Sequence, residues 1–466
     1  MPSEFIAERD SVLNRLRLSH ETNQTATVIG FDRTTLLVVS LVLAVSSWWG
    51  APSVAMAQLD FELKPIDYYS APLSNPVSQL QQRINSGEVQ LQYDPQHGYL
   101  PAVLQAFGIS TKSQTLVFSK TSLQFRQISP RRPRAVYFND DVYVGWVQRG
   151  DVVELSAADP RQGGVFYTLS QEQTDQPRFV RDKGQCLACH ASARTSGVPG
   201  HLVRSVYTSR SGQPFFSSGT YTTDHRSPFE QRWGGWYVTG THGQQRHMGN
   251  VIAKDRDRPR DLDVEYGANV VDLSNRINTK PYLSPHSDIV ALLVLQHQTR
   301  MHNLMTHANF ETRSALYHDQ VMSEVLDHPE GYRSESTKRR IKSAANKLVE
   351  YMLFVDEAPL SDRVTGTSGF AEEFSQQGPR DQRGRSLRDL DLQSRLMKYP
   401  CSFLVYTDSF DRLPPPVKEE VYRRLHQILT ESVVEPKYER FTTEDRLAIL
   451  EILRDTKSDL PDYWLN

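Results

Sequence analysis

The order of apolar and polar positions changes along the chain from a strand pattern to a helix pattern. Residues 114–125 and 134–147 are rich in the β-branched and aromatic residues that strands favour. An Asn-Asp-Asp sequence at 139–141 divides the second segment as a hairpin turn would. Similar segments continue to about residue 169, and 196–250 has the composition of turns and short strands. The first half of the chain is therefore predicted to be β-rich.

Helical periodicity dominates the second half. In 287–310 the apolar residues recur at spacings of three and four, and Ser287 stands in the position of an N-cap. The same periodicity appears at 336–355, and further amphipathic helices are predicted at 417–429 and 442–455. The last of these opens on a capping signal. We therefore predict an α+β fold with a β-rich N-terminal half and an α-helical C-terminal half.

The N-terminal segment has the pattern of an export signal. An apolar run at 36–45 follows Arg33 and precedes small residues, and Ala55 and Ala57 offer an A-x-A cleavage site. The run is shorter than the about 20 residues that a membrane-spanning helix needs. Residues 1–57 are thus expected to be a signal peptide, which makes the rest of the chain periplasmic or otherwise exported.

An uncleaved N-terminal anchor is the alternative. Trp48 and Trp49 would then extend the apolar segment, and residues 34–57 would associate the protein with a membrane. Both interpretations place the bulk of the chain outside the cytoplasm.

Composition and charge exclude several classes of protein. The chain has 53 lysine and arginine residues against 55 aspartate and glutamate residues, so no basic surface for nucleic acid is expected. The 409 residues that follow residue 57 of the 466 suit two or three domains. Three cysteines are too few for a disulfide-stapled exported scaffold. Cys401 lies in an apolar sequence and is predicted to be buried and unreactive.

The other two cysteines stand in the sequence GQCLACHAS at 184–192, where His190 directly follows the second. Cys186 and Cys189 at this spacing suit a redox dithiol, half of a zinc site, or the thioether attachment of haem with the histidine as an iron ligand. A reducing dithiol belongs inside the cytoplasm, whereas haem c is attached outside it. The export signal therefore favours haem.

The flanking sequence weakens the two other interpretations. A thioredoxin-like pair should open a helix after a strand, and here a polar loop precedes the pair. Zinc needs a second pair of ligands. His242 and His247 offer one, but they lie more than fifty residues away, against a usual loop of about 12 to 15. In haem attachment the two thiols add to the two vinyl groups and the histidine lies beneath the iron.

The sequence CLACH at 186–190, together with the export signal, resembles the c-type cytochromes. The segments RWGGWYVTGTHG and KYPCSFLVYTDSFDRLP look like those of large exported bacterial proteins with a single haem. The resemblance implies one covalent haem c, attached through Cys186 and Cys189 and ligated by His190, and electron-transfer activity. It does not imply the small helical cytochrome fold, because the flanks of the motif are rich in strands and turns.

The sixth iron ligand would separate an electron carrier from a catalyst. Met248, followed by Gly249, is the predicted ligand, and the iron is predicted to be six-coordinate and low-spin. Other histidines of this region and of the following helix are alternatives. They are His201, His225, His242, His247 and His297.

Two further groups of residues suit a haem pocket. Trp233 and Trp236 could form its wall, although aromatic residues are more often part of a protein core. Arg380, Arg383 and Arg385 could bind the haem propionates, although a solvated loop is the more common setting for such a cluster.

The predicted function is that of an exported c-type cytochrome that carries one haem and exchanges electrons with an unnamed redox partner protein. A haem enzyme that acts on peroxide or on a small nitrogen or sulfur compound is the alternative. Such enzymes commonly need a second haem or metal, and one attachment motif is present. The chain divides into a signal peptide or anchor at 1–57, a β-rich domain at 58–182, a haem-attachment region at 183–253 and a helical region at 262–466.

Overall fold

The computed structural model describes residues 60–431 and 435–465, and the predicted signal peptide or anchor at 1–57 lies outside them. The predicted α+β organisation is confirmed. A sheet occupies the first half of the described chain, and long helices follow from residue 289 onward.

The described chain belongs to one compact unit, Leu59–Asn466. The regions predicted at 58–182, 183–253 and 262–466 differ in secondary structure within this unit. Their limits as separate domains stay predictions.

Antiparallel strands form the β-rich half. They are β1 (Thr115–Val117), β2 (Arg134–Phe138), β3 (Val142–Trp146), β4 (Val152–Asp159), β5 (Gly163–Ser170), β6 (Phe179–Arg181), β7 (Arg204–Val206), β8 (Thr220–Thr222) and β9 (Trp236–Tyr237). Seven of them make one sheet in the order β6-β5-β4-β3-β2-β1-β9, and β7 pairs with β8 in a separate two-stranded ribbon.

The turn between β2 and β3 is the one that the sequence predicts at 139–141. The side-chain oxygen of Asn139 accepts hydrogen bonds from the N–H groups of Asp141 (3.1 Å) and Val142 (2.9 Å). The predicted strand at 114–125 is shorter, because the chain leaves the sheet after Val117 and hydrogen-bonds to the backbone before β9 instead.

The two faces of the large sheet contact different layers, as alternation along each strand requires. Residues such as Tyr137, Val144 and Leu155 pack on the helices that precede the sheet in the chain. Val136 and Phe138 point the other way, into the core of the helical half. The sheet therefore lies between two apolar layers.

The longest helices follow the sheet in the chain. They are α1 (Pro76–Asn85), α2 (Leu100–Phe107), α3 (Leu187–His190), α4 (Val264–Gly267), α5 (Ile289–Leu326), α6 (Glu335–Met352), α7 (Phe370–Gln376), α8 (Asp408–Asp411), α9 (Pro415–Thr430) and α10 (Thr443–Thr456). Within the described ranges, no helix has both the length and the apolarity that crossing a membrane requires.

Helix α5 is the central element of the helical half, and its predicted N-cap is wrong by one residue. Asp288, not Ser287, accepts hydrogen bonds from the first helical N–H groups. The Ser287 hydroxyl instead accepts from the N–H of Leu116 (2.8 Å) and donates to the carbonyl of Tyr237 (2.6 Å). The hydroxyl that was predicted to cap the helix therefore bonds to strands of the sheet.

Replacing Thr442 with alanine is expected to destabilise the protein by about 1 kcal/mol, the usual value of an N-cap. The Thr442 hydroxyl accepts from the N–H of Asp445 (3.0 Å), whose carboxylate accepts from the N–H of Thr442 in return. Urea unfolding measures the effect. Thr443→Ala changes the next, equally exposed residue and keeps the cap, so equal losses in the two variants would contradict the assignment.

The β2–β3 turn is expected to give stability an unusual pH dependence. Burial, together with the neighbouring Asp140 carboxylate, raises the pKa of Asp141 to about 7. Because the folded-state pKa lies above the unfolded one, the unfolded state loses the proton first as pH rises. Folding stability therefore falls between about pH 4 and pH 7 and is then constant.

Asp141→Asn should abolish this decrease and stabilise the protein at pH 8 by about 2 kcal/mol, a value discounted for partial solvent exposure. Thermal unfolding across this pH range measures it. Asp151→Asn, at an exposed position of the next turn, is the control. A decrease in stability that survives in Asp141→Asn would show that another group causes it.

Candidate functional site

A single helical turn presents the Cys-x-x-Cys-His motif. The Asp182 carboxylate accepts hydrogen bonds from the N–H groups of Gly184 (2.9 Å) and Cys186 (3.0 Å) and so fixes the chain where α3 begins. The N–H groups of Cys189 and His190 then both bond to the carbonyl of Cys186. The two thiol-bearing residues, three apart on a turn of helix, therefore share one face.

The two thiols differ in environment. Cys186 is half-buried against an apolar cluster, whereas Cys189 is exposed. Burial, together with the carboxylates of Asp182 and Glu154, raises the pKa of the Cys186 thiol to about 12. A reactive redox dithiol needs the opposite, a thiol whose pKa is lowered.

The imidazole of His190 is oriented by one hydrogen bond. Its Nδ1 lies 2.9 Å from the carbonyl oxygen of Gly200, which can only accept, so Nδ1 carries the proton. Nε2 then holds a lone pair and has no hydrogen-bond partner among the described residues. Burial lowers the pKa of His190, which keeps the ring neutral. A neutral imidazole with one nitrogen anchored and the other free is the usual form of a metal ligand.

Helix α5 holds the segment that anchors His190. The Asn303 side chain accepts from the N–H of His201 (2.8 Å) and donates to the carbonyl of the same residue (2.7 Å). A Cβ at Gly200 would lie 2.1 Å from Asn303 Oδ1, so only glycine fits there. The helical half thus fixes the carbonyl that orients His190.

Buried histidines lie behind the motif. The Phe166 ring contacts His190 at 4.7 Å and His201 at 6.0 Å between ring centroids. His201 packs on Tyr143 at 4.5 Å and on His302 at 5.9 Å. Burial lowers the pKa of His201 well below its usual value and that of His302 to about 4, so both rings are neutral.

The large sheet brings an ion pair close to Cys186. Arg134 Nη2 lies 2.8 Å from Glu154 Oε2, and the guanidinium occupies the space over Gly145, where a Cβ would be 2.2 Å away. Glu154 also accepts from the Gln124 amide at 3.1 Å. These residues come from different strands and from a loop, so only the sheet register brings them together.

The β7–β8 ribbon carries a second arginine. Arg204 Nε donates to Thr220 Oγ1 at 2.8 Å, and its guanidinium lies 4.3 Å from the centre of the Phe216 ring. The Phe216 side chain is exposed. The segment that contributes Gln124, a partner of Glu154, and the strand before the motif carry further exposed apolar side chains. These are Leu123, Phe125 and Val180.

The residues present fit a haem better than a metal ion held by the protein alone. No group of three or more metal-binding side chains occurs in the described ranges. A porphyrin supplies four nitrogen ligands itself, so His190 is the one protein ligand that the motif needs to provide. The exposed apolar side chains, the exposed Cys189 and the half-buried Cys186 also suit an apolar, covalently attached ring.

Met248, the predicted sixth ligand, is engaged by another side chain. Its sulfur accepts a hydrogen bond from Ser205 Oγ at 3.7 Å, and the residue is buried. Because side chains alternate along a strand, Ser205 and Met248 lie on the side of β7 opposite to Arg204. Ligation by Met248 stays a prediction, and it would require the sulfur to leave this site.

The alternative histidine ligands are engaged elsewhere, apart from His201. His242 and His247 contact each other, with their ring centroids 4.7 Å apart and their planes tilted by 53°. His225 and His297 share a hydrogen bond of 2.9 Å between their Nδ1 atoms in the helical core. Of the five, only His201 is next to the residue that orients His190.

The arginines and tryptophans singled out from the sequence have structural roles here. Arg380, Arg383 and Arg385 form ion pairs with carboxylates of the helical half. Trp233 and Trp236 are buried, and Trp236 Nε1 donates a hydrogen bond to the carbonyl of Arg204 in β7. Cys401 is fully buried, as predicted.

A separate cleft of about 770 Å³ opens between α1 and the loop before β6. None of the motif residues line it.

Comparisons of the chain with protein-family models, curated proteins and solved structures find no significant match. The functional assignment therefore depends on the motif and its surroundings.

Proposed function

We propose that this protein is an exported c-type cytochrome with one haem, attached by Cys186 and Cys189 and ligated by His190. The observation that carries the proposal is the orientation of His190 beside the two thiols. Its Nδ1 is anchored on the Gly200 carbonyl and its Nε2 is free. When bound, haem supplies an iron centre that gains and loses one electron.

Electron transfer is favoured over catalysis by two features. One attachment motif provides for one cofactor, and so for one electron at a time. The exposure of Cys189 places one attachment point at the surface, where an edge of the ring would be accessible to a redox partner protein. The partner would meet the protein in the periplasm or an equivalent exported compartment.

A haem enzyme is the second candidate, and the position of Met248 favours it. In the described structure the buried Met248 sulfur accepts a hydrogen bond from Ser205 Oγ. A position without a protein ligand would leave the iron open to peroxide or to a small nitrogen or sulfur compound.

Visible spectroscopy of the exported protein tests both candidates. A pyridine haemochrome assay should give one haem per chain, and the haem should be reversibly reduced and reoxidised. A protein without haem, made in a host that matures c haems, would refute the proposal. Low-spin iron that does not bind carbon monoxide supports the carrier, whereas high-spin iron that binds it at once supports the enzyme. A far-red sulfur-to-iron band that Met248→Ala abolishes would establish Met248 as the ligand.

A further inference from the structure

Arg204 is a partly buried cation without a counter-ion. Among the described residues its one hydrogen bond is that from Nε to Thr220, and no carboxylate pairs with it. The two terminal nitrogens have no partner. These two donors are therefore available to an anion that binds beside the ribbon.

Two other arginines near the motif have partners for their terminal nitrogens. Arg134 pairs with Glu154, and the terminal nitrogens of Arg181 donate to the backbone carbonyls of Tyr68 and Tyr69. The predicted propionate ligands Arg380, Arg383 and Arg385 are paired too. Arg204 therefore differs from each of these in having free donors.

The position of Arg204 relates it to the motif. It lies four residues after Gly200, which bonds to His190, and four residues span at most about 14 Å. The Cys189 thiol and Arg194, which follows α3, both lie close enough to affect the pKa of Arg204. The Phe216 ring holds the guanidinium in place by a cation–π contact.

We propose that Arg204 binds a carboxylate of the ligand at the motif, which for a haem is a propionate. The inference rests on the proposed function, since it takes the ligand to be haem. The planar guanidinium offers two parallel N–H groups to a carboxylate, a geometry that lysine cannot reproduce. The bond would fix the rotation of the ring about the His190–iron axis and would place a positive charge close to the iron.

The test compares Arg204→Gln with Arg204→Lys in the full exported protein. The midpoint potential should fall in Arg204→Gln, because removing a nearby positive charge favours the oxidised iron, and it should change less in Arg204→Lys. The resonance Raman bending mode of the propionate should shift in both variants. Arg210→Gln removes an equal charge from an exposed turn of the same ribbon and should change neither quantity.

The outcomes separate this inference from the proposed function. Wild-type protein without haem would refute the function itself. If haem-loaded Arg204→Gln has the same midpoint potential and the same propionate mode as Arg210→Gln, the role of Arg204 is refuted and the proposed function is not. If Arg204→Gln does not accumulate, the Arg204→Lys protein decides, since an unchanged propionate mode there would equally overturn the assignment.

Discussion

Cys186→Ala combined with Cys189→Ala is expected to abolish covalent haem completely, because no thiol would then remain to add to the vinyl groups. Denaturing electrophoresis with haem peroxidase staining should show a stained wild-type band and no stained band in the double variant. Each single variant should retain one thioether and one unreacted vinyl group, which shifts the visible bands to longer wavelength. The two thiols share one turn of α3.

Cys401→Ala is the matched control. This cysteine is fully buried in the helical core, and burial raises the pKa of its thiol to about 12. The variant should keep full haem content. Loss of stain in Cys401→Ala, or its persistence in the double variant, would contradict attachment through the motif.

Asp288→Ala is expected to cost about 4 kcal/mol of folding free energy, a large part of the stability of a typical protein. The buried carboxylate does more than cap α5. One oxygen accepts from the N–H groups of Val290 and Ala291, and the other accepts from the N–H groups of Thr367 and Ser368 at 2.7 and 2.8 Å. Its removal leaves all four donors without a partner.

Urea unfolding of three variants tests this role. Asp288→Asn keeps the shape of the side chain but directs an amide N–H₂ towards other donors, so it should destabilise almost as much as alanine. Asp263→Ala removes the exposed cap of the short helix α4 and should have a much smaller effect. Equal losses in Asp263→Ala and Asp288→Ala would show that Asp288 acts only as an ordinary cap.

The fold was predictable from the sequence wherever the signal is local. The Asn139 turn and the capping signal at Thr442 depend on residues close in sequence, and both are confirmed. The length of α5 was not predictable. Its apolar pattern weakens after residue 310. The helix nevertheless continues, since Asp319 accepts hydrogen bonds from Ser334 at the start of α6, and it ends at Leu326, before Asp327 with φ 55°.

The candidate site also contains residues that the local sequence indicates and residues that it does not. Cys186, Cys189 and His190 are adjacent in sequence, and their spacing alone indicates them. The Arg134–Glu154 pair depends on strand register, and the Asn303 contact depends on how α5 lies against the loop after α3. No periodicity or motif marks such partners, since each contact joins residues far apart in the chain.

The order of strands in the large sheet has a consequence for a chain that emerges from its N-terminus first. β1 lies between β2 and β9, so Val117 gains its partner Trp236 only after the motif has emerged. Asn303, which holds the loop that orients His190, emerges later still. During synthesis or translocation, Cys186 and Cys189 are therefore accessible to modifying enzymes before the structure that surrounds them can form.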